Sequence, residues 1–216
     1  MQEFITTMGI VLKAEPMGEY DRRVVLLTKD RGKIAAFARG ARRQGNRLSA
    51  STDLFAFGEF KMYPGKNSYT ITDASISNFF EGFRDRFTEA MYGMYFLEVM
   101  DYQTRENNDE KEMLKLLYQS LRAVLHEAYD NRLVRAIFEI KTMALMGEFN
   151  WMQDESKYQP GTLYAVDYIL RQRVEDLFKF SVKEEILTEL IVICREEKAL
   201  RWHHGFKSEE MLAIID

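Results

Sequence analysis

The 216-residue sequence predicts an α+β multidomain protein: a small five-stranded barrel over residues 1–80, followed by an all-α helical domain over 81–216. Three observations carry that expectation. The first 80 residues hold five short runs rich in Val, Ile, Phe, Tyr and Thr, separated by turn residues. From about residue 84 the apolar spacing changes to a helical repeat. The composition, 46% hydrophobic and 30% charged, belongs to a globular chain that can bury a core without disulfides or a metal.

Strands are expected at Met8–Lys13, Arg23–Thr28, Gly32–Arg39, Leu54–Tyr63 and Tyr69–Ile76. Between them lie Pro16-Met17-Gly18, Lys29-Asp30-Arg31-Gly32, Gly45-Asn46 and Pro64-Gly65-Lys66-Asn67, all turn chemistry. Five short strands suit a closed or partly open barrel better than a sandwich, which needs about seven. Alternation in the fourth strand puts Phe55 and Phe57 on one face and Ala56 and Gly58 on the other. Ala41 to Asp53 has no period and reads as a long basic loop.

Phe87, Met91, Met94, Tyr95 and Val99 mark the first helix. A second is expected from Asn108 as N-cap, with Asp109 and Glu110 in its first turn and a stripe of Met113, Leu116, Leu117, Leu121, Val124 and Leu125. The third runs from Arg132 to Met146 and stops at Gly147. Phe149–Gly161 reads as irregular, a fourth helix spans Thr162–Leu177, and a fifth opens on the capping box Ser181-Val182-Lys183-Glu184 and reaches Ala199. The domain boundary is expected at residues 78–84.

The net charge of −4 hides a division. Residues 1–80 carry 12 Lys/Arg against 8 Asp/Glu, a net of +4, and residues 81–216 a net of −8. From Arg22 to Arg47, nine cations (Arg22, Arg23, Lys29, Arg31, Lys33, Arg39, Arg42, Arg43 and Arg47) face the single acid Asp30. Fields act over a Debye length of ~8–10 Å, so the local excess decides, and it points to a polyanion. Such a strand and loop would track a phosphate backbone, although charge on an exposed sheet edge also guards against edge pairing. Phe37, Phe55, Phe57, Phe60, Tyr63 and Tyr69 interleave with the cations and offer rings for base stacking or for the barrel core; Tyr63 and Tyr69 are expected to be the exposed ones.

Catalytic signatures are missing from the sequence. It holds no Gly-rich phosphate loop, GxSxG elbow, HExxH or paired carboxylate set, so no catalytic residue, metal or cofactor is expected. His203-His204 lacks a spaced second pair of ligands, and Cys194 reads as an inert buried thiol. No apolar run approaches a membrane span and Met1-Gln2-Glu3-Phe4 is unlike a signal peptide, so a cytoplasmic, nucleoid-associated protein without membrane contact is expected.

At Gly18-Glu19-Tyr20-Asp21-Arg22, Thr28-Lys29-Asp30-Arg31-Gly32-Lys33 and Arg39-Gly40-Ala41-Arg42-Arg43, the chain resembles the bacterial recombination mediator family RecO. Tyr95-Phe96-Leu97-Glu98-Val99 is similar to the start of that family's helical domain, Phe138-Glu139 with Leu145-Met146-Gly147 to its central helix, and Lys207-Ser208 with Met211-Leu212 to its C-terminal signature. The resemblance covers nearly the whole chain. It implies an N-terminal OB-fold, a helical second domain and a non-enzymatic role in DNA repair. It further implies binding of single- and double-stranded DNA, strand annealing, a grip on the acidic tail of the single-strand DNA-binding protein SSB, and work with RecR in loading RecA. The chain departs from many relatives in one respect: Glu148 to Gly161 carries no cysteine where they hold a four-cysteine zinc site, and Trp151, Met152 and Tyr158 are expected to pack there instead.

Carried over, Arg22, Arg23, Arg39, Arg42 and Arg43 would contact phosphates, with Lys29, Arg31, Lys33 and Arg47 joining by proximity and charge. The SSB tail is acidic and ends in an aromatic residue, so its dock should pair cations with an apolar pocket. Arg132 and Arg135 are the candidates, with helix-face ion pairing to Glu139 as their plain alternative. The rival function is a protein–protein adaptor for SSB and RecR with minor DNA affinity; a hydrolase lacks candidate residues.

Overall fold

The computed structural model describes residues 3–66, 68–149 and 157–215. Its strands are β1 (Ile5–Met17), β2 (Asp21–Thr28), β3 (Gly32–Ala38), β4 (Phe57–Pro64) and β5 (Tyr69–Asn78). They close a barrel in the order β1-β2-β3-β5-β4, every neighbouring pair antiparallel except β3 with β5. This is the five-stranded Greek-key barrel of the OB-fold. The long β1 serves two neighbours, and its bulge between Val11 and Lys13 lets one strand turn from β4 to β2. Val11, Val24, Leu26, Ile34, Phe60 and Met62 fill the interior, all at most 1% exposed. Each such side chain contributes ~1.5–3 kcal/mol when removed from water.

Two features of this region depart from the sequence pattern. Leu54–Ala56 is not strand: Phe55 takes a left-handed φ of 68°, and both Phe55 and Ala56 are buried. The alternation therefore restarts at Phe57, with Gly58, Phe60 and Met62 inward. The expected long loop contains a one-turn helix, α1 (Leu48–Ser51), whose Leu48 joins the barrel core beside Ala41. A single apolar residue anchors that turn, too little for a periodic signal.

The remaining helices are α2 (Phe87–Gln103), α3 (Lys111–Val124), α4 (Asn131–Leu145), α5 (Pro160–Arg171), α6 (Glu184–Arg201) and α7 (Lys207–Ile215). The chain divides into two compact units, Met1–Glu81 with Leu97–Leu114 and Gly82–Phe96 with Lys115–Asp216, so α2 and α3 each contribute to both. Phe87 and Met94, placed on the core stripe of α2 by spacing, are 66% and 38% exposed, while Tyr92, Phe96 and Met100 are buried. In the second unit Phe96 stacks on Phe138 with ring centroids 4.2 Å apart.

Helix ends follow from the hydrogen bonds and ion pairs formed at them, some local and some between distant residues. α3 starts at Lys111 rather than Asn108, because the Asp109 carboxylate accepts the Lys111 N–H. α4 begins at the Asp130 cap and ends in a Schellman turn: Gly147, at φ 70°, donates to Ala144 and Glu148 to Met143. α5 stops at Arg171, short of the expected Leu177. The Lys141 ammonium, buried in α4, donates to the carbonyls of Ile169, Leu170 and Gln172 and so caps it. The Ser181 capping box does not form, for α6 begins at Glu184 after Lys183, and Glu184 pairs with Arg132 instead. Trp151 and Met152 lie outside the described residues, and Tyr158 is half-buried. Among the described residues no helix is long and apolar enough to cross a membrane.

Candidate nucleic-acid interface

The Arg39–Arg47 segment folds back on the barrel mouth for reasons visible residue by residue. Gly40 adopts φ 65°, and its N–H is held by the Asp21 carboxylate at 2.7 Å. Ala41 then points into the core with no exposure. Arg43 N–H closes a turn on the Gly40 carbonyl, and the Asn46 side chain accepts the Leu48 N–H to start α1. With Ala41 pinned inward, Arg39, Arg42 and Arg43 are left exposed around it.

Register decides which cations meet. Arg22 pairs with Ala38 and Thr28 with Gly32, so the start of β2 lies beside the end of β3. Arg22, Arg23, Arg39, Arg42, Arg43 and Arg47 gather at that end. Lys29, Arg31 and Lys33 lie at the other, roughly 20 Å along the strand at ~3.3 Å per residue. The nine therefore do not form one set.

Within the larger group the guanidiniums differ in task. Arg22 Nη1 donates to the Ser49 carbonyl and to Thr52, tying α1 to β2. Arg42 donates to the carbonyls of Gly18 and Glu19 in the β1–β2 turn, which leaves its charge intact. Arg43 lies over the Tyr20 ring, 4.7 Å from its centroid. Arg23 pairs with Glu15 at 3.0 Å and Arg47 with Asp73 at 3.2 Å, both exposed and weak in water. Arg39 is exposed, and its side chain has no hydrogen bond or ion pair among the described residues. In the smaller group, Lys33 is half-buried and bound to Asp101, whose other partner is Lys13. Burial would raise the Asp101 pKa, but the two lysines hold it below the ordinary value. Lys29 is exposed and Arg31 half-buried. Val25 and Leu27, on the outer wall of β2, are buried, and the Arg105 carbonyl accepts the Lys33 N–H. That part of the wall is covered, whereas Arg23, Phe37 and Arg39 mark its open end.

The rings sort likewise. Phe55 and Phe60 are core, Phe37 and Phe57 half-buried, and Tyr63 and Tyr69 half-buried rather than free. Tyr63 packs against Phe4 with ring centroids 3.8 Å apart and planes tilted by 30°, and Lys61 lies over the Phe4 ring. Tyr20 and Phe4 are exposed rings that sequence spacing does not single out; each sits under a cation, a tertiary relation that spacing does not encode.

Arg132 and Arg135 line a cavity of about 350 Å³ between α4, α6 and α7. Arg132 pairs with Asp130 and Glu184, both at 2.8 Å. Arg135 pairs with Glu139 at 2.9 Å and with Glu209. Glu139 is 2% exposed and accepts from the Tyr95 hydroxyl at 2.6 Å and from Lys198 at 2.8 Å. Burial would raise its pKa, yet Lys198 and Arg135 hold it below the glutamate range. Burial, then Glu139, pushes the Tyr95 hydroxyl well up. Arg195 and Lys198 also line the cavity, with Ala136, Ile191 and Cys194 as its apolar wall. The signal in the sequence is the spacing 191, 194, 195, 198 on one face of α6.

Cys194 is the only cysteine in the sequence and is buried, so a four-cysteine zinc site does not fit this chain. Among the described residues no three His, Cys, Asp or Glu side chains gather to hold a metal.

Two family models match, "Recombination protein O N terminal" over residues 1–80 and "Recombination protein O C terminal" over residues 84–156. The DNA repair protein RecO of Acetivibrio thermocellus is 24% identical over 245 residues, covering 99% of this chain and 98% of that one. Its counterpart in Bacillus pumilus is 33% identical over 143 residues, covering 66% and 56% of the two chains. The one in Clostridium novyi is 30% identical over 141 residues, covering 65% and 55%. Against the last two, the match spans little more than half the relative's length.

Proposed function

The chain belongs to the RecO family of DNA repair and recombination proteins, and from that premise we propose that it is a non-catalytic mediator that binds single- and double-stranded DNA through the arginine end of its barrel. The observation that supports this most is the gathering of six arginines at the barrel end where β2 begins and β3 ends. Among the described residues Arg39 and Arg43 have no carboxylate partner, and Arg42 is bound only to neutral carbonyls. Each guanidinium near a phosphate displaces condensed counterions, which draws any strand without reading its sequence. Strands 2 and 3 and the loop between strands 1 and 2 are the surface on which OB-folds hold oligonucleotides. Neutralising the repulsion between two phosphate chains also gives annealing a physical basis. Lys33 and Arg22 are given structural tasks in this reading, and Lys29 and Arg31 a secondary one at most.

The SSB tail is assigned to the cavity of Arg132 and Arg135, where cations and an apolar wall meet. Work with RecR and RecA, and a cytoplasmic, nucleoid-associated location, rest on the family alone. The test is titration of the full chain with a single-stranded oligonucleotide. Replacing Arg39 and Arg43 by Glu should weaken binding at least tenfold with the thermal midpoint unchanged. Undiminished affinity would remove these arginines from the DNA contact, and negligible affinity of the unaltered chain would leave the adaptor reading, in which the cavity rather than the barrel carries the function.

A further inference from the structure

We propose that the Tyr20 ring, with Arg43 on one face, is a stacking platform that takes one unpaired base on the other, and that it makes this barrel end favour single over double strands. The inference rests on the reading of that end as the DNA interface and adds which side chain tells the two forms apart. Its ground is an exposed aromatic ring set among arginines on a turn that is already fixed.

Tyr20 stands in the β1–β2 turn and is 41% exposed. The turn is held at three successive carbonyls. Arg42 Nη1 donates to those of Gly18 and Glu19, and the Arg42 N–H to that of Tyr20 at 2.9 Å. One residue on, the Asp21 carboxylate holds the Gly40 N–H, and the Gly40 carbonyl accepts the Arg43 N–H. The Tyr20 hydroxyl donates to the Glu19 carboxylate, which raises its pKa and restrains the ring edge. These bonds order both the ring and the arginine that covers it before any ligand arrives, so a base that lands there need order neither.

The Arg43 guanidinium lies 4.7 Å from the ring centroid, and no other ring or cation lies on Tyr20 among the described residues. Phe4 differs, since Tyr63 packs against it and Lys61 lies over it. Phe37 and Tyr69 are half-buried. An aromatic face in a cationic groove accepts any base, because every base has a π-face of its own. Within a duplex both faces of each base are already stacked on neighbours, so the ring gains a partner only where a base is first unstacked at a cost. The arginines around it meet the phosphates of either form. Charge thus gives affinity for both, and Tyr20 gives the difference between them.

The experiment titrates the full chain with a thymidine oligonucleotide and with the same strand paired to its complement. Tyr20→Leu should weaken single-strand binding by about fivefold or more, with duplex binding and both salt slopes unchanged. Tyr20→Phe, which keeps the face and loses the hydroxyl, should bind like the unaltered chain. An equal loss on both forms would show that Tyr20 only places Arg43, and no loss that no base stacks there. Either result overturns the proposal and leaves the DNA interface standing. Binding of neither form by the unaltered chain overturns both readings. A second variant, Tyr20→Trp, reports the contact itself: emission of the added tryptophan should be quenched by the single strand and not by the duplex. Equal quenching by the two, or none, contradicts the proposal.

Discussion

Arg22 and Arg39 stand at the same end of one hairpin, yet the barrel uses them differently. Arg22 Nη1 holds the Ser49 carbonyl, so Arg22→Ala should lower stability by about 1 kcal/mol, read from the denaturation midpoint, with a smaller effect on DNA affinity. Arg39 makes no such bond, so its reversal should act on binding alone. As letters the two weigh the same, because charge is legible in a string, whereas the partner of a guanidinium is not. Glu139 makes the same point inside the helical unit. Spacing marks it as a partner of Arg135, but its burial and its bonds to Tyr95 and Lys198 arise only from packing. Glu139→Gln should destabilise the chain by ~3–5 kcal/mol, since the buried Lys198 and the half-buried Arg135 lose their fixed counterion. The pH dependence follows from the sign of the shift. A depressed pKa contributes stability that is complete above the ordinary glutamate value of ~4.3 and is lost as pH falls through the lower folded value. Unfolding free energies measured between pH 7 and pH 3 should therefore fall less steeply for Glu139→Gln; an identical slope would show that Glu139 titrates alike in the folded and unfolded chain.

At the scale of elements, the five strands and the stop of α4 at Gly147 were legible because turn residues and a left-handed glycine are local signals. The misplaced end of α5 and start of α6 share a physical cause, a tertiary partner that overrode a local preference, whereas α3 starts late through the local Asp109 bond to the Lys111 N–H. Lys141 is the clearest case. Its ammonium, 6% exposed, takes three carbonyls where α5 ends, and a cation at a helix C-terminus also complements the dipole. Lys141→Met keeps the stem but orphans those carbonyls, so the thermal midpoint should drop by an amount corresponding to about 2 kcal/mol. No change would mean that water satisfies the end of α5 without it. The Ser181 box failed for the converse reason, because Glu184 gains a bidentate partner in Arg132 by facing away from its own helix start.

Over the whole molecule, a chain of net charge −4 gathers six of the nine clustered cations at one end of its barrel, while Lys33 is tied to Asp101 and Arg22 to the Ser49 carbonyl. The cluster of nine basic residues was visible in sequence. Its division by the β2–β3 register into groups of six and three was not, since a hairpin brings together residues twenty apart and separates residues six apart. In the proposed reading, five arginines at the open end, Arg23, Arg39, Arg42, Arg43 and Arg47, would meet phosphates, Arg23 and Arg47 by leaving their exposed partners Glu15 and Asp73. The salt dependence of single-stranded DNA affinity for the full chain counts them most directly. Each phosphate contact adds about −0.7 to the log–log slope, so a value near −3.5 is expected, falling in magnitude to about 2 when Arg39 and Arg43 are replaced by Glu. A slope near zero for the unaltered chain would contradict the account.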